Sequence, residues 1–303
     1  MRSAVIALFL TIPFAMNLFA ADNGYTQEVR KWQDERLKNL KKDDGWPTLA
    51  GLFWLKEGSN PVGRDESLPV VLPAPAPPAA GTLTLTNGKV QFTPNPAAAI
   101  TLEGKPLAGP VTMISDADPK QKPTTLRIGA ISFFVIQRGE RIGVRVRDNN
   151  SPARKQLASL EYYPIDPAWR LEATFEAYKP PKKIPIVNIL GMVEPTDSVG
   201  ALVFKIKGTT YRLDVLEEDG EKEGEKVFFV IFADKTNGKE TYGSGRYLYT
   251  STPDKNGKVI LDFNEAYSPP CAFTSYATCP LPPKQNKLPI EVTAGEKHHK
   301  ANT

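Results

Sequence analysis

The sequence predicts an all-β protein: an antiparallel barrel or sandwich of many short hairpin-linked strands, with one N-terminal helix. Three observations carry this. Short alternating or continuous apolar runs recur along most of the chain, separated by turn residues. No helical pattern is interleaved among them beyond residue 45, which excludes a βαβ-type parallel sheet. The 28 prolines in 303 residues work against a long-helix architecture. Apolar residues at 41% and charged residues at 24% give a globular composition rather than a disordered one.

In chain order, Arg2 followed by an apolar run to Met16 and small residues at Ala20 and Ala21 reads as a secretory leader over residues 1–20. Export to the periplasm or the extracellular space is the expectation, since no later segment is apolar for long enough to span a bilayer. A helix is expected over 21–44, strongest at 25–42, where Val29, Trp32, Leu37 and Leu40 recur at near-helical spacing before Gly45 and Pro47 stop it. Its expected role is to pack on the edge of the domain. A β domain follows over 45–297. Asn87-Gly88, Asn237-Gly238 and Asn256-Gly257 are read as hairpin turns, because a type I′ turn needs positive φ at both central residues. Strand runs are read at 82–86, 90–93, 131–136, 141–147, 171–177, 201–207, 209–216, 226–233, 242–250 and 259–264. The Pro/Ala-rich 74–80 is an extended loop, and 178–184 is either a joint between two subdomains or a surface crossing. A polar tail at 298–303 is expected to be disordered.

Chemistry is bounded first by what is scarce. Both histidines, His298 and His299, fall in the last six residues, so Ser-His-Asp and Cys-His catalysis and His-ligated metal sites are not expected. No phosphate-binding loop, dinucleotide fingerprint or calcium-loop spacing is present, and neither a cofactor nor a metal is implied. A net charge of +4, from 38 basic and 34 acidic residues spread along the chain, argues against nucleic acid as the partner. Cys271 and Cys279 are the only cysteines. In an exported chain they read as a disulfide, worth roughly 2.6 kcal/mol for the loop they would close; the alternative is a reactive thiol pair.

The candidate site comes from strand alternation. Over 141–147, Ile142, Val144 and Val146 share one face, and Arg141, Gly143, Arg145 and Arg147 share the other. Tyr242, Ser244 and Arg246 align in the same way, as do Ile260, Asp262 and Asn264. The strand at 259–264 runs into a loop stiffened by prolines and rich in aromatic and polar groups, with Tyr267 and Tyr276. Arg145, Arg147, Tyr242, Arg246, Asp262, Asn264, Tyr267 and Tyr276 are therefore the candidate ligand-binding set. Guanidinium forks with Tyr and Asn donors suit a small anionic or polyhydroxyl ligand. Two other readings stand beside it: a His-independent hydrolase using Asp234 and Asp262 as acid and base, and a structural or interaction module of the cell envelope.

Several motifs together resemble a bacterial and archaeal family known as domain of unknown function 1684. They are Gly51-Leu52-Phe53-Trp54-Leu55, Arg138-Gly139, Arg145-Val146-Arg147-Asp148, Thr241-Tyr242-Gly243-Ser244-Gly245-Arg246, and the whole of 262–283. The resemblance runs from about Trp46 to Glu296, and the last motif is the most specific. Ser268 stands where the family pattern leads one to expect Asn. The resemblance implies an intact domain; it implies no activity.

Overall fold

The computed structural model describes residues 15–118 and 120–299. One long helix, α1 (Ala15–Leu40), precedes the sheets. It starts earlier than the expected 21–44 and ends earlier. Residues 1–14 of the expected leader lie outside the described residues, and residues 15–20 are continuous with the helix. Among the described residues no helix is long and apolar enough to cross a membrane.

Eleven strands form the first β unit: β1 (Leu49–Trp54), β2 (Gly58–Gly63), β3 (Val70–Val71), β4 (Gly81–Thr86), β5 (Lys89–Pro94), β6 (Thr101–Leu102), β7 (Lys105–Pro106), β8 (Val111–Met113), β9 (Thr125–Ile128), β10 (Ile131–Arg138) and β11 (Arg141–Asp148). They make one sheet ordered β1-β11-β10-β9-β6-β7 and another ordered β3-β2-β4-β5-β8. Pairing is antiparallel throughout except β2 with β3. The two sheets share one core, in which Val62, Leu83 and Phe92 meet Leu126, Phe133, Val144 and Val146. Burying that apolar area is what drives the two faces together.

Six longer strands form the second unit: β12 (Arg170–Val187), β13 (Val193–Ile206), β14 (Thr209–Asp219), β15 (Lys226–Phe232), β16 (Arg246–Ser251) and β17 (Lys258–Asp262). The sheet order is β16-β15-β14-β13-β12-β17, and its two end strands touch, so the sheet is a nearly closed barrel. Leu202, Phe228, Phe232, Leu261 and Phe263 fill it. The all-β expectation therefore holds, with the barrel in the second half of the chain.

Three expectations are corrected. The stretch at 178–184 is not a joint; it is the middle of β12, exposed over 179–183, where the register with β13 shifts between Ala177 and Lys182. The chain passes between the two sheet systems at 149–169 instead, through the short helix α2 (Pro152–Gln156), which Ser151 caps by accepting from Arg154 N–H at 3.2 Å. Of the three Asn-Gly pairs, only Asn87-Gly88 has both residues at positive φ, 49° and 78°, closing the β4–β5 hairpin. Finally, His298 and His299 are not in a disordered tail. His298 N–H donates to the Glu240 carbonyl at 2.8 Å, and the two rings lie 5.5 Å from Tyr242 and 5.7 Å from Phe273. Residues 300–303 of that tail lie outside the described residues.

Candidate functional site

The expected alternation of β11 is present. Ile142, Val144 and Val146 enter the first core, and the arginines take the other face. Register places Leu52 of β1 and Phe134 of β10 on either side of Arg145, and Ser132 beside Arg147. The face is lined with aromatic rings. Arg141 lies 4.2 Å from the Trp54 centroid, Arg147 4.8 Å from Phe134, and Arg145 5.9 Å from Trp46.

Against this face stands the 271–279 loop of the second unit. Thr278 Oγ1 accepts from Arg138 Nε at 3.2 Å and from Arg145 Nη2 at 3.3 Å. The two guanidiniums differ in one respect. Arg138 is neutralised by a forked pair with Asp116, at 3.0 and 2.8 Å. Arg145 is 3% exposed, its Nε has no partner, and no carboxylate among the described residues lies within ion-pair distance of it. Of its five N–H donors, only the one on Thr278 is engaged. Desolvation, reinforced by the charge of Arg138 and opposed by Asp116, pushes Arg145 down to about 10. Burial also lowers Arg147, whose Nε is likewise unpartnered.

The other predicted residues go elsewhere. Arg246 and Asp234 form an ion pair at 2.8 Å with both side chains 0% exposed. Arg246 also donates to the carbonyls of Ala294 and Val292. Asp234 accepts from Thr236 N–H, Thr236 Oγ1 and Val292 N–H as well. This pair fixes the 292–294 segment to the barrel, and its carboxylate is enclosed and taken up by four donors, which leaves it poorly placed for acid–base work. Tyr242 is not in a strand. It lies in the turn before β16, where Gly245 adopts φ +96°, and its hydroxyl donates to the Cys271 carbonyl at 3.0 Å. Tyr276 is exposed on the 271–279 loop.

Asp262, Asn264 and Tyr267 hold α1 onto the barrel. Tyr25 OH donates to Asp262 Oδ2 at 2.7 Å and accepts from Asn264 Nδ2 at 2.8 Å. Asp262 ends β17 and caps the 3-10 turn Phe263–Glu265 by accepting from Asn264 N–H, so Asn264 is not on the strand. Further along the helix, Arg36 lies 4.4 Å over the Tyr267 ring, donates to the Ser268 carbonyl at 2.9 Å and meets the fully buried Glu296 at 3.3 Å. Asn264→Ala is expected to lose about 2 kcal/mol in urea denaturation, because Asp262 and the Asp166 backbone lose buried partners together.

Glu265 borders a cleft of about 390 Å³ with Asp262, Arg170 and Tyr25. Burial, then the charge of Asp262, raises its carboxyl to about 7. The folded state thus holds this proton more tightly than the unfolded chain, and stability falls as pH rises from about 4.5 to about 7. Glu265→Gln is expected to match wild type near pH 4 and to exceed it by about 1 kcal/mol at pH 8, measured as urea midpoints at both values.

Sequence reasoning missed Arg138, Asp116 and Thr278 as members of one cluster, and missed Trp46 beside it. It also missed a cleft of about 590 Å³ lined by Pro47, Leu157, Phe273, Lys297, His298 and His299. Burial and the neighbouring His298 lower His299 there. The only available signal was the Arg138-Gly139-Glu140-Arg141 hairpin turn, which places Arg138 opposite Arg141. Among the described residues no group of three or more His, Cys, Asp or Glu is placed to hold a metal ion.

Fold and site together define a two-unit β protein in which a loop of a nearly closed barrel closes over an arginine-rich sheet face. Residues 155–297 match the family described as "Protein of unknown function (DUF1684)", and the chain belongs to that family. The match covers the barrel and the 271–279 loop; the motifs at 51–55 and 138–148 lie outside it. A solution NMR structure of an uncharacterized protein from Haloarcula marismortui is 32% identical, over 48% of this chain and 78% of that one, with a TM-score of 0.40. Curated proteins give no match.

Proposed function

We propose that this is an exported protein that binds a small anion, a carboxylate or phosphate that can carry hydroxyl groups, at the contact between the arginine face and the 271–279 loop. One observation carries the reading: Arg145, a guanidinium almost wholly removed from water, meets no carboxylate among the described residues. An isolated buried cation is costly, and proteins keep one where a ligand or partner supplies the opposite charge. Thr278 stands beside it: its hydroxyl accepts from Arg138 and Arg145 and keeps its own proton to donate to an oxyanion. Export rests on the leader pattern of residues 1–20. The acid–base reading lacks such support, because the Asp234 carboxylate is enclosed and saturated.

The test is a thermal-shift series of wild type and Arg145→Met against phosphate, citrate, gluconate and glucuronate. A bound anion at a hundred times its dissociation constant adds about 2.7 kcal/mol. A shift in wild type that vanishes in Arg145→Met supports the site. Equal shifts in both, or none in either, would reject it.

A further inference from the structure

We propose that Cys271 and Cys279 form a reversible dithiol–disulfide site in which Cys271 meets an external disulfide and Cys279 resolves the product. This goes beyond the anion-binding reading and does not depend on it. The bridge expected from sequence is not made in the structure: both residues are free thiols. They nevertheless stand side by side, with Cys271 N–H donating to Cys279 Sγ at 3.0 Å.

Access to the two is unequal. Cys279 is 3% exposed and packed among Phe229, Ile231 and Tyr247. Cys271 is half-buried, and the next two residues, Ala272 and Phe273, line the 590 Å³ cleft. The environments also separate them chemically. A hydrogen bond from Cys279, joined by Tyr242 and opposed by burial, lowers the Cys271 thiol. The same hydrogen bond together with burial raises Cys279. An accessible, low-lying thiol beside a shielded one is the arrangement that disulfide exchange requires.

The loop does not need the bridge for its shape. Tyr242 OH holds the Cys271 carbonyl, and Ile189 N–H holds the Cys279 carbonyl at 2.9 Å. Tyr247 OH holds the Pro280 carbonyl at 2.8 Å, Leu281 N–H reaches Val187 O at 2.7 Å, and Arg138 and Arg145 hold Thr278. A bond that is not needed to build the loop can open and close within the folded protein. With glutathione disulfide as oxidant, the Cys271 thiolate attacks one sulfur, releases one glutathione thiolate and becomes a mixed disulfide. Cys279 then gives its proton to water and attacks Cys271 Sγ, releasing the second glutathione thiolate. Two protein thiols are oxidised, and one external disulfide is reduced to two thiols.

The full chain, reduced and desalted, tests this in two steps. In brief iodoacetamide labelling with peptide mass mapping, Cys271 is expected to react at least tenfold faster than Cys279. With glutathione disulfide, wild type is expected to form the internal bridge, which reduced glutathione reopens without unfolding. Cys279→Ser is expected to accumulate one glutathione on Cys271, and Cys271→Ser is expected to gain glutathione at least tenfold more slowly. Equal labelling of the two thiols in wild type would overturn the proposal, and this needs neither variant to fold. A wild-type bridge that opens only in denaturant would overturn it too, leaving a structural disulfide.

Discussion

Replacing Asp234 by alanine is expected to destabilise the protein by roughly 3–5 kcal/mol, or about 10 °C in Tm, the largest loss of any single surface-distant substitution considered. The reason is what stays behind. Arg246 has a side chain 0% exposed and an Nε with no partner, and among the described residues Asp234, at 2.8 Å, is its only neutralising carboxylate. Without it, a guanidinium remains in the barrel with only the carbonyls of Ala294 and Val292 and the Phe232 ring 5.2 Å away. Thr236 and Val292 N–H lose their acceptor in the same step. Arg246→Met is expected to cost less, since Asp234 keeps three other donors. The double variant Asp234→Leu with Arg246→Met is expected to recover most of the loss, as buried pairs often do when replaced by apolar groups of similar volume. Urea denaturation of the three variants gives the cycle. An Asp234→Ala loss below about 1 kcal/mol would show that the pair is not what anchors the 292–294 segment.

The same residues show where sequence periodicity stops being informative. The alternation of 141–147 was legible because the strand is regular over its full length, so period two assigned Ile142, Val144 and Val146 to the core and Arg145 to the opposite face. The burial of that opposite face was not legible, because the covering residue, Thr278, comes from a loop 133 residues away in sequence. Alternation misplaced Tyr242 for a different reason: it assumed an extended chain, while the turn at Tyr242–Gly245 resets the direction before β16 begins. Asn264 was misread because Asp262 diverts the backbone into a 3-10 turn, a local side-chain competition that a hydrophobic pattern does not carry. The tyrosine and aspartate at 25 and 262 meet only through tertiary packing of α1. The eight candidate residues thus divide among an arginine face, a structural ion pair, a helix clamp and a loop; Arg145 and Arg147 on the arginine face keep unpartnered Nε donors, and Arg145 is the more deeply buried of the two.

That gives Arg145→Met an expected result with two opposite signs. Without ligand, the variant is expected to be more stable than wild type by roughly 1–3 kcal/mol. The fold depresses Arg145 to about 10, so at pH 7 the charged form is held against its solvation preference, and a group lowered in this way costs stability at every pH below its folded value. Methionine keeps the volume beside Leu52, Phe134 and Trp46 and removes the charge. The only hydrogen bond lost is the one at 3.3 Å to Thr278, and Arg138 still donates to that hydroxyl. With anion present the order is expected to reverse, because wild type gains the binding energy and the variant does not. A residue kept for packing alone would lose stability on substitution and show no ligand-dependent change. Denaturation of both proteins in chloride and in phosphate separates the cases. A gain in chloride that is erased in phosphate is the signature of a charge retained for a ligand at a cost to the fold.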